Sequence, residues 1–242
     1  MPSTLKPKRP RRQRTGGKAL NRLIENDLIR KVSYDEYRDK VQRVYGGPKG
    51  AVLSLCSLMS LHIPLGERIF RSRKFDLRGA KAILDVGSGA GQIAGHLLKY
   101  GDPDATVTCT DLSRQMLRRA RNRLKSGRPR FVACDLSQLP FEDAAFDCIT
   151  CGYVLEHLPR AEPGLAEMSR VLRPGGRMFL LTTEDNFSGA WTSRLWYCRT
   201  YNRAELRRLC EQLGLHWKQE LWFTRLHRVI RAGGICVEIE KR

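Results

Sequence analysis

Nowhere does this sequence offer the ~20 consecutive apolar residues that a membrane-spanning helix needs. Its first residues are basic and Pro-rich with no apolar signal core, which argues against secretion. Acid is scarce: 25 Asp+Glu stand against 44 Lys+Arg, a formal charge of +19 at pH 7. Residues 1–18 hold seven basic side chains and no acid, and Arg114 to Arg130 hold eight and again none. Such clusters attract polyanions, whether nucleic acid or anionic lipid, or else they are simply solvated surface. A complete metal-ligand motif is missing as well. Cys148-x-x-Cys151 has no second CxxC and no His pair to complete it, so no metal is expected. Both cysteines fall in one strand-like run, where positions three apart face opposite sides. The eight cysteines are irregularly spaced and, without a secretion signal, read as reduced thiols of a cytoplasmic protein.

What is present is a chain of 242 residues, long enough for one large domain with an appendage. Pro2, Pro7, Pro10, Gly16 and Gly17 make residues 1–17 a disordered basic tail. Residues 18–78 read as a helical cap. Leu20, Leu23, Ile24 and Leu28 keep helical spacing, and Ser33 with Glu36 forms a capping box. The apolar run from Ala51 to Gly66 is too short to span a bilayer; a core helix, an active-site lid and a membrane-surface element are all open to it. From residue 79 to 242 short apolar runs alternate with helical stretches. That alternation predicts an α/β fold around a doubly wound, mostly parallel sheet of seven strands, one of the last two antiparallel.

Asp85-Val86-Gly87-Ser88-Gly89-Ala90-Gly91 directly follows the first strand run. Glycines there let the backbone turn tightly and bring a ligand against the start of the next helix. Asp111 ends the second strand run, 20 residues after Gly91, where a carboxylate accepts from a ribose diol. Asp135 ends the third, placed to receive an exocyclic amine. A helix N-cap is the competing role for each aspartate, weakened by their occurrence at successive strand ends. A nicotinamide-dinucleotide fingerprint would need glycine at position 92, which is Gln92.

With Pro174-Gly175-Gly176 before the fifth strand, the arrangement resembles class I S-adenosylmethionine-dependent methyltransferases, more narrowly the type 11 group that includes quinone-biosynthesis enzymes. The segments ILDVGSGAG, TDLSRQML, ACDLSQLPF, FDCITCGYVLEHLP and RVLRPGGRMFLL carry it, from about Ala80 to Glu184. The resemblance implies S-adenosyl-L-methionine as cofactor in a Rossmann-like methyltransferase fold. It implies that Gly87, Ser88, Gly89 and Gly91 line the methionine end, with Asp85 orienting that loop. Asp111 would then hold the ribose hydroxyls, Leu112 and Met116 pack near the adenine, and Asp135 with Leu136 read its amine. Cys151 and Gly152 would lie beside the sulfonium.

Direct methyl transfer needs positioning and desolvation more than a catalytic dyad. Candidate catalytic residues are His157, Tyr153 and Glu184. For His157 a structural or helix-capping role competes with that of general base. Position 151–154 reads Cys-Gly-Tyr-Val and not the Asn/Asp-Pro-Pro-aromatic run of enzymes that methylate base amines, and no Pro-Cys dipeptide occurs for cytosine C5 chemistry. The expected acceptor is therefore a small molecule, lipophilic or aromatic. It would be roofed by Tyr34, Tyr37, the Met59 to Pro64 stretch and the insert 185–203. In that insert Trp191, Trp196, Tyr197 and Tyr201 interleave with Arg194, Arg199 and Arg203, a pattern able to grip a flat or anionic molecule or merely to pack. Rival readings are an RNA-modifying enzyme using the basic surface, and a non-catalytic cofactor-binding module at a partner or anionic membrane.

Overall fold

The computed structural model describes Ser33, residues 35–37, Asp39, Arg43 and residues 62–196, 198–230 and 233–242. The expected tail, the helix around Leu20 to Leu28, residues 51–61, Tyr34 and Tyr197 lie outside the described residues. The capping box at Ser33 is formed in both directions. Ser33 N–H donates to Glu36 Oε2 (3.2 Å) and Glu36 N–H to Ser33 Oγ (3.3 Å).

Seven strands make one sheet in the order β3-β2-β1-β4-β5-β7-β6. They are β1 (Ala82–Val86), β2 (Thr106–Asp111), β3 (Arg130–Ala133), β4 (Phe146–Gly152), β5 (Leu172–Thr182), β6 (Leu215–Glu220) and β7 (Ile235–Lys241). β1 to β5 are parallel, and β7 runs antiparallel to both β5 and β6. Central strands such as β1 are near-continuous apolar runs because helices cover both faces. One layer holds α1 (His62–Arg71), α2 (Gln92–Tyr100) and α3 (Arg114–Leu124). The other holds α4 (Ala161–Val171) and α6 (Arg203–Gln212), while α5 (Phe187–Trp196) and α7 (Arg225–Ile230) follow β5 and β6. Cys148 packs in the first layer and Cys151 in the second, as period-2 geometry requires.

Ile69, Phe70, Phe75 and Leu77, from the segment expected as cap, are core residues of the α1 layer. Their anchor is Phe179 of β5, whose ring lies 5.3 Å from Phe70 and 5.5 Å from Phe75. The chain leaves β1 for β2 and β3 on one side, then returns to β4 on the other. That reversal opens a crevice at the C-terminal ends of β1 and β4, where open α/β sheets take ligands.

Three local expectations are corrected. Pro174-Gly175-Gly176 does not stop the chain in a turn before the strand; it lies inside β5. Pairing with β4 slips there, from Phe146↔Leu172 to Cys148↔Arg177, so the extra residues are absorbed as a bulge with Gly175 at φ 73°. The run HWKQELWFTR reads in the sequence as one of the two late strands, but β6 ends at Glu220 and α7 follows. The missed signal is a cap: the Thr224 hydroxyl accepts the His227 N–H (3.2 Å). Third, β3 stops at Ala133, so Asp135 lies two residues beyond the strand.

Candidate active site at the strand ends

The bend after β1 is held from below and from the side. Ser88 N–H donates to Thr110 O of β2 (2.7 Å), and its hydroxyl donates to Asp85 O (2.9 Å). Gly87, Gly89 and Gly91 all have positive φ, which only glycine adopts without strain. Each also has its own reason. A side chain on Gly87 would collide with Val154, and one on Gly91 would press on Ala120 and Leu124 of α3 at 3.2 Å. A side chain on Gly89 would make ordinary contacts only, the nearest atoms being Gln92 Oε1 and Met116 Cε at 3.7 Å.

Asp111 at the end of β2 is tied directly to this bend. Its Oδ2 accepts the Gly89 N–H (2.9 Å) and its Oδ1 the Ser113 N–H (2.8 Å), while burial pushes its carboxyl up. Ser113 in turn caps α3 by accepting the Met116 N–H (3.3 Å), which draws buried Met116 toward Gly89. Leu112 stands between them, half-buried. Asp85 is wholly buried at the end of β1. Its Oδ1 accepts the Thr150 hydroxyl of β4 (2.7 Å), its Oδ2 has no hydrogen-bond partner, and burial pushes the carboxyl up to about 6.

Asp135 is engaged in its own turn, with Oδ1 accepting the Ser137 N–H (2.8 Å) and hydroxyl (2.7 Å). No helix starts there, so Asp135 makes a local turn and not a helix cap, and Leu136 is buried and packs on Gly164 of α4. At the end of β4, Cys151 is buried and burial pushes its thiol up. Gly152 lies so close to α2 that an added side chain would meet Ile93 Cδ1 at 2.5 Å.

Of the three candidate catalytic side chains, one lies in a polar contact with the N-terminal segment. His157, in the 3₁₀ turn Leu155–His157, has Nδ1 2.8 Å from the Tyr37 hydroxyl. Burial pushes its imidazole down to about 4, so it is neutral at pH 7. Tyr153 holds φ 57°, strained for a bulky residue, and donates its N–H to Leu181 O (2.7 Å); burial raises its phenol pKa. Glu184 is clamped, both oxygens accepting from Arg203 at 2.9 Å. Arg203 also pairs with Glu220 (3.0 Å) and lies over the Trp222 ring.

Parts of the aromatic-basic insert are used for packing, while Trp191 and Arg194 stand exposed. Tyr201 is buried and donates to Leu155 O (2.7 Å), and Arg199 N–H donates to Glu156 O (3.0 Å). Glu156 itself is absent from the sequence-based candidates. Its buried carboxylate accepts the Thr182 (2.7 Å) and Thr183 (2.8 Å) hydroxyls, and burial raises its pKa. The one available signal was an acid inside the apolar run VLEHL. Among the described residues no three His, Cys, Asp or Glu could hold a metal ion.

A glycine bend bracketed by carboxylates at successive strand ends, in a sheet of this order, defines a class of nucleoside-binding α/β proteins. The family described as methyltransferase domain matches residues 84–180. Two curated relatives are ubiquinone/menaquinone biosynthesis C-methyltransferases UbiE. That of Desulfotalea psychrophila is 42% identical over 55% of this chain and 55% of its own. That of Pseudomonas fluorescens is 30% identical over 64% of this chain and 67% of its own. The chain thus spans between about half and two thirds of the length of these relatives. Among solved structures, the mitomycin 7-O-methyltransferase MmcR superposes with TM-score 0.67 at 18% identity, over 93% of this chain and 66% of its own, a likeness of fold. The chain belongs to the class I S-adenosylmethionine-dependent methyltransferases, in the type 11 group.

Proposed function

We propose that this protein transfers the methyl group of S-adenosylmethionine to a small, lipophilic or aromatic acceptor. The observation that carries the reading is the Asp111 carboxylate locked to the Gly89 amide, an acid fixed at the lip of the glycine bend. The chain's own groups suit the cofactor. Each Asp111 oxygen spends one lone-pair direction on a backbone N–H and retains capacity for a ribose hydroxyl. The partnerless Asp85 Oδ2 beneath the bend is a buried acceptor that an ammonium group would satisfy, directly or through water. Gly87, Ser88, Gly89 and Gly91 shape the wall for the methionine end. Leu112 and Met116 would pack near the adenine, Asp135 with Leu136 would read its amine, and Cys151 and Gly152 would lie beside the sulfonium.

When bound, the cofactor supplies an electrophilic methyl on a sulfonium, which passes to the acceptor in line as the electron pair stays on sulfur. The protein's part is to exclude water and hold the two reactants in register. His157, neutral and steadied by Tyr37, is suited to hydrogen-bond an acceptor oxygen, and its low basicity argues against a general base. Glu184 serves to fix Arg203 and the strand ends, and Tyr153 to shape the floor through its strained backbone. A lipophilic, quinone-type acceptor is favoured by the UbiE relatives.

Calorimetry with S-adenosylhomocysteine tests this directly. Asp111→Ala should weaken binding at least about tenfold, the loss of one or two charge-assisted hydrogen bonds. An unchanged dissociation constant would sink the ribose assignment. Methyl-labelled cofactor turned over on cell extract, fractionated into metabolites, lipids, RNA and protein, identifies the acceptor class. Label confined to RNA or protein would overturn the small-molecule reading.

A further inference from the structure

Among the described residues four large hydrophobic side chains are strongly exposed: Phe187 (57%), Trp191 (58%), Leu226 (64%) and Val229 (79%). All four sit on α5 and α7. Phe187 and Trp191 are four residues apart, Leu226 and Val229 three, so each pair lies on one side of its helix. Both helices rise from the same edge of the sheet. β5 and β6 are each antiparallel to β7 and hence parallel to one another, so α5 and α7 leave the C-terminal edge that carries the glycine bend and Asp111. Their roots are joined by one guanidinium. Arg203 hydrogen-bonds Glu184 before α5 and Gly234 O after α7, and forms an ion pair with Glu220 at the end of β6.

The two segments that carry these side chains are basic, with Asp185 just before the first of them. No acid occurs from Asn186 to Ala204 or from Leu221 to Val237. Arg194, Arg225 and Arg228 are exposed, and Arg225 and Arg228 make no ion pair among the described residues. Aromatic and aliphatic side chains on segments that carry arginines and no acid match an anionic lipid surface. The rings enter the headgroup layer and the guanidinium groups meet phosphate. We infer that the α5–α7 rim is a docking face for an anionic bilayer surface, holding the mouth of the crevice against the phase in which a lipophilic acceptor dissolves. The second half of this inference rests on the acceptor proposed above; the docking itself does not.

Flotation of the full chain with phosphatidylcholine vesicles containing one quarter phosphatidylglycerol tests it. The protein should float with these vesicles and weakly with phosphatidylcholine alone. Leu226→Ser/Val229→Ser and Phe187→Ser/Trp191→Ser should each cut the floated fraction roughly fivefold, with S-adenosylhomocysteine affinity unchanged as the check on folding. Variants that float like the wild type would overturn the inference, since binding would then reside elsewhere, as in the basic N-terminal residues. So would absence of flotation. A concentration-dependent dimer in sedimentation that the same variants dissolve would also overturn it, assigning the face to a second copy. Flotation without S-adenosylhomocysteine binding supports docking while sinking the enzymatic reading; turnover without flotation does the reverse.

Discussion

Asp85 is a buried acid with one oxygen accepting the Thr150 hydroxyl and the other without a hydrogen-bond partner. Its carboxyl is raised from 3.8 to about 6 by burial. A raised folded value favours the folded state below pH 3.8, and that contribution is lost as pH rises through about 6. At pH 7 the charged side chain therefore costs stability that a bound ammonium would recover. Asp85→Asn should leave the urea midpoint at pH 7 unchanged or higher, while weakening S-adenosylhomocysteine about tenfold. It should also flatten a binding profile that otherwise weakens as pH falls through about 6. A lower midpoint with intact affinity would make Asp85 a purely structural acid. His157 acts with the opposite sign. Lowered from 6.5 to about 4, it favours the folded state above pH 6.5, and that stability is lost as pH falls through about 4.

Among the elements, strands and helix starts were legible because their signals are local. The Ser33–Glu36 box is formed as expected, whereas the cap of α3 is Ser113, accepting the Met116 N–H, and not Asp111. The bulge at Pro174 to Gly176 was not legible, since the same residues can end a helix or kink a strand, and the pairing of β5 with β4 decides. The glycines separate by what surrounds them. Gly91→Ala combines a positive φ with pressure on Ala120 and Leu124 and should cost about 2–3 kcal/mol. Gly175→Ala has a similar φ but open space, and should cost only about 1 kcal/mol. Urea midpoints of the two variants decide; equal losses would show that packing against α3 is slack.

For the whole molecule, Arg203 is the tie between the ends of β5 and β6 and the loop before β7. It is 12% exposed and Glu184 9%, so removing one partner strands a buried charge. Arg203→Ala should lose about 3–5 kcal/mol, read from chemical unfolding. A loss below about 1 kcal/mol would mean that water reaches Glu184 on its own. The same pair explains why Glu184, plausible as a base from its place after β5, is occupied: its partner is 19 residues away in sequence.

The order of strands and helices, the glycine bend and the acids at the ends of β1 and β2 were determined by the sequence itself. Periodicity, capping and turn chemistry act over a few residues, and a strand end places its acid wherever the fold follows. Only the tertiary structure decided which polar groups are already spent. Glu156 sits between two threonines, His157 is steadied by Tyr37 from 120 residues away, and the hydrophobic side chains of α5 and α7 stand outside the core. Burial and partnership are properties of the packed chain, and they set protonation and exposure in ways no local pattern encodes.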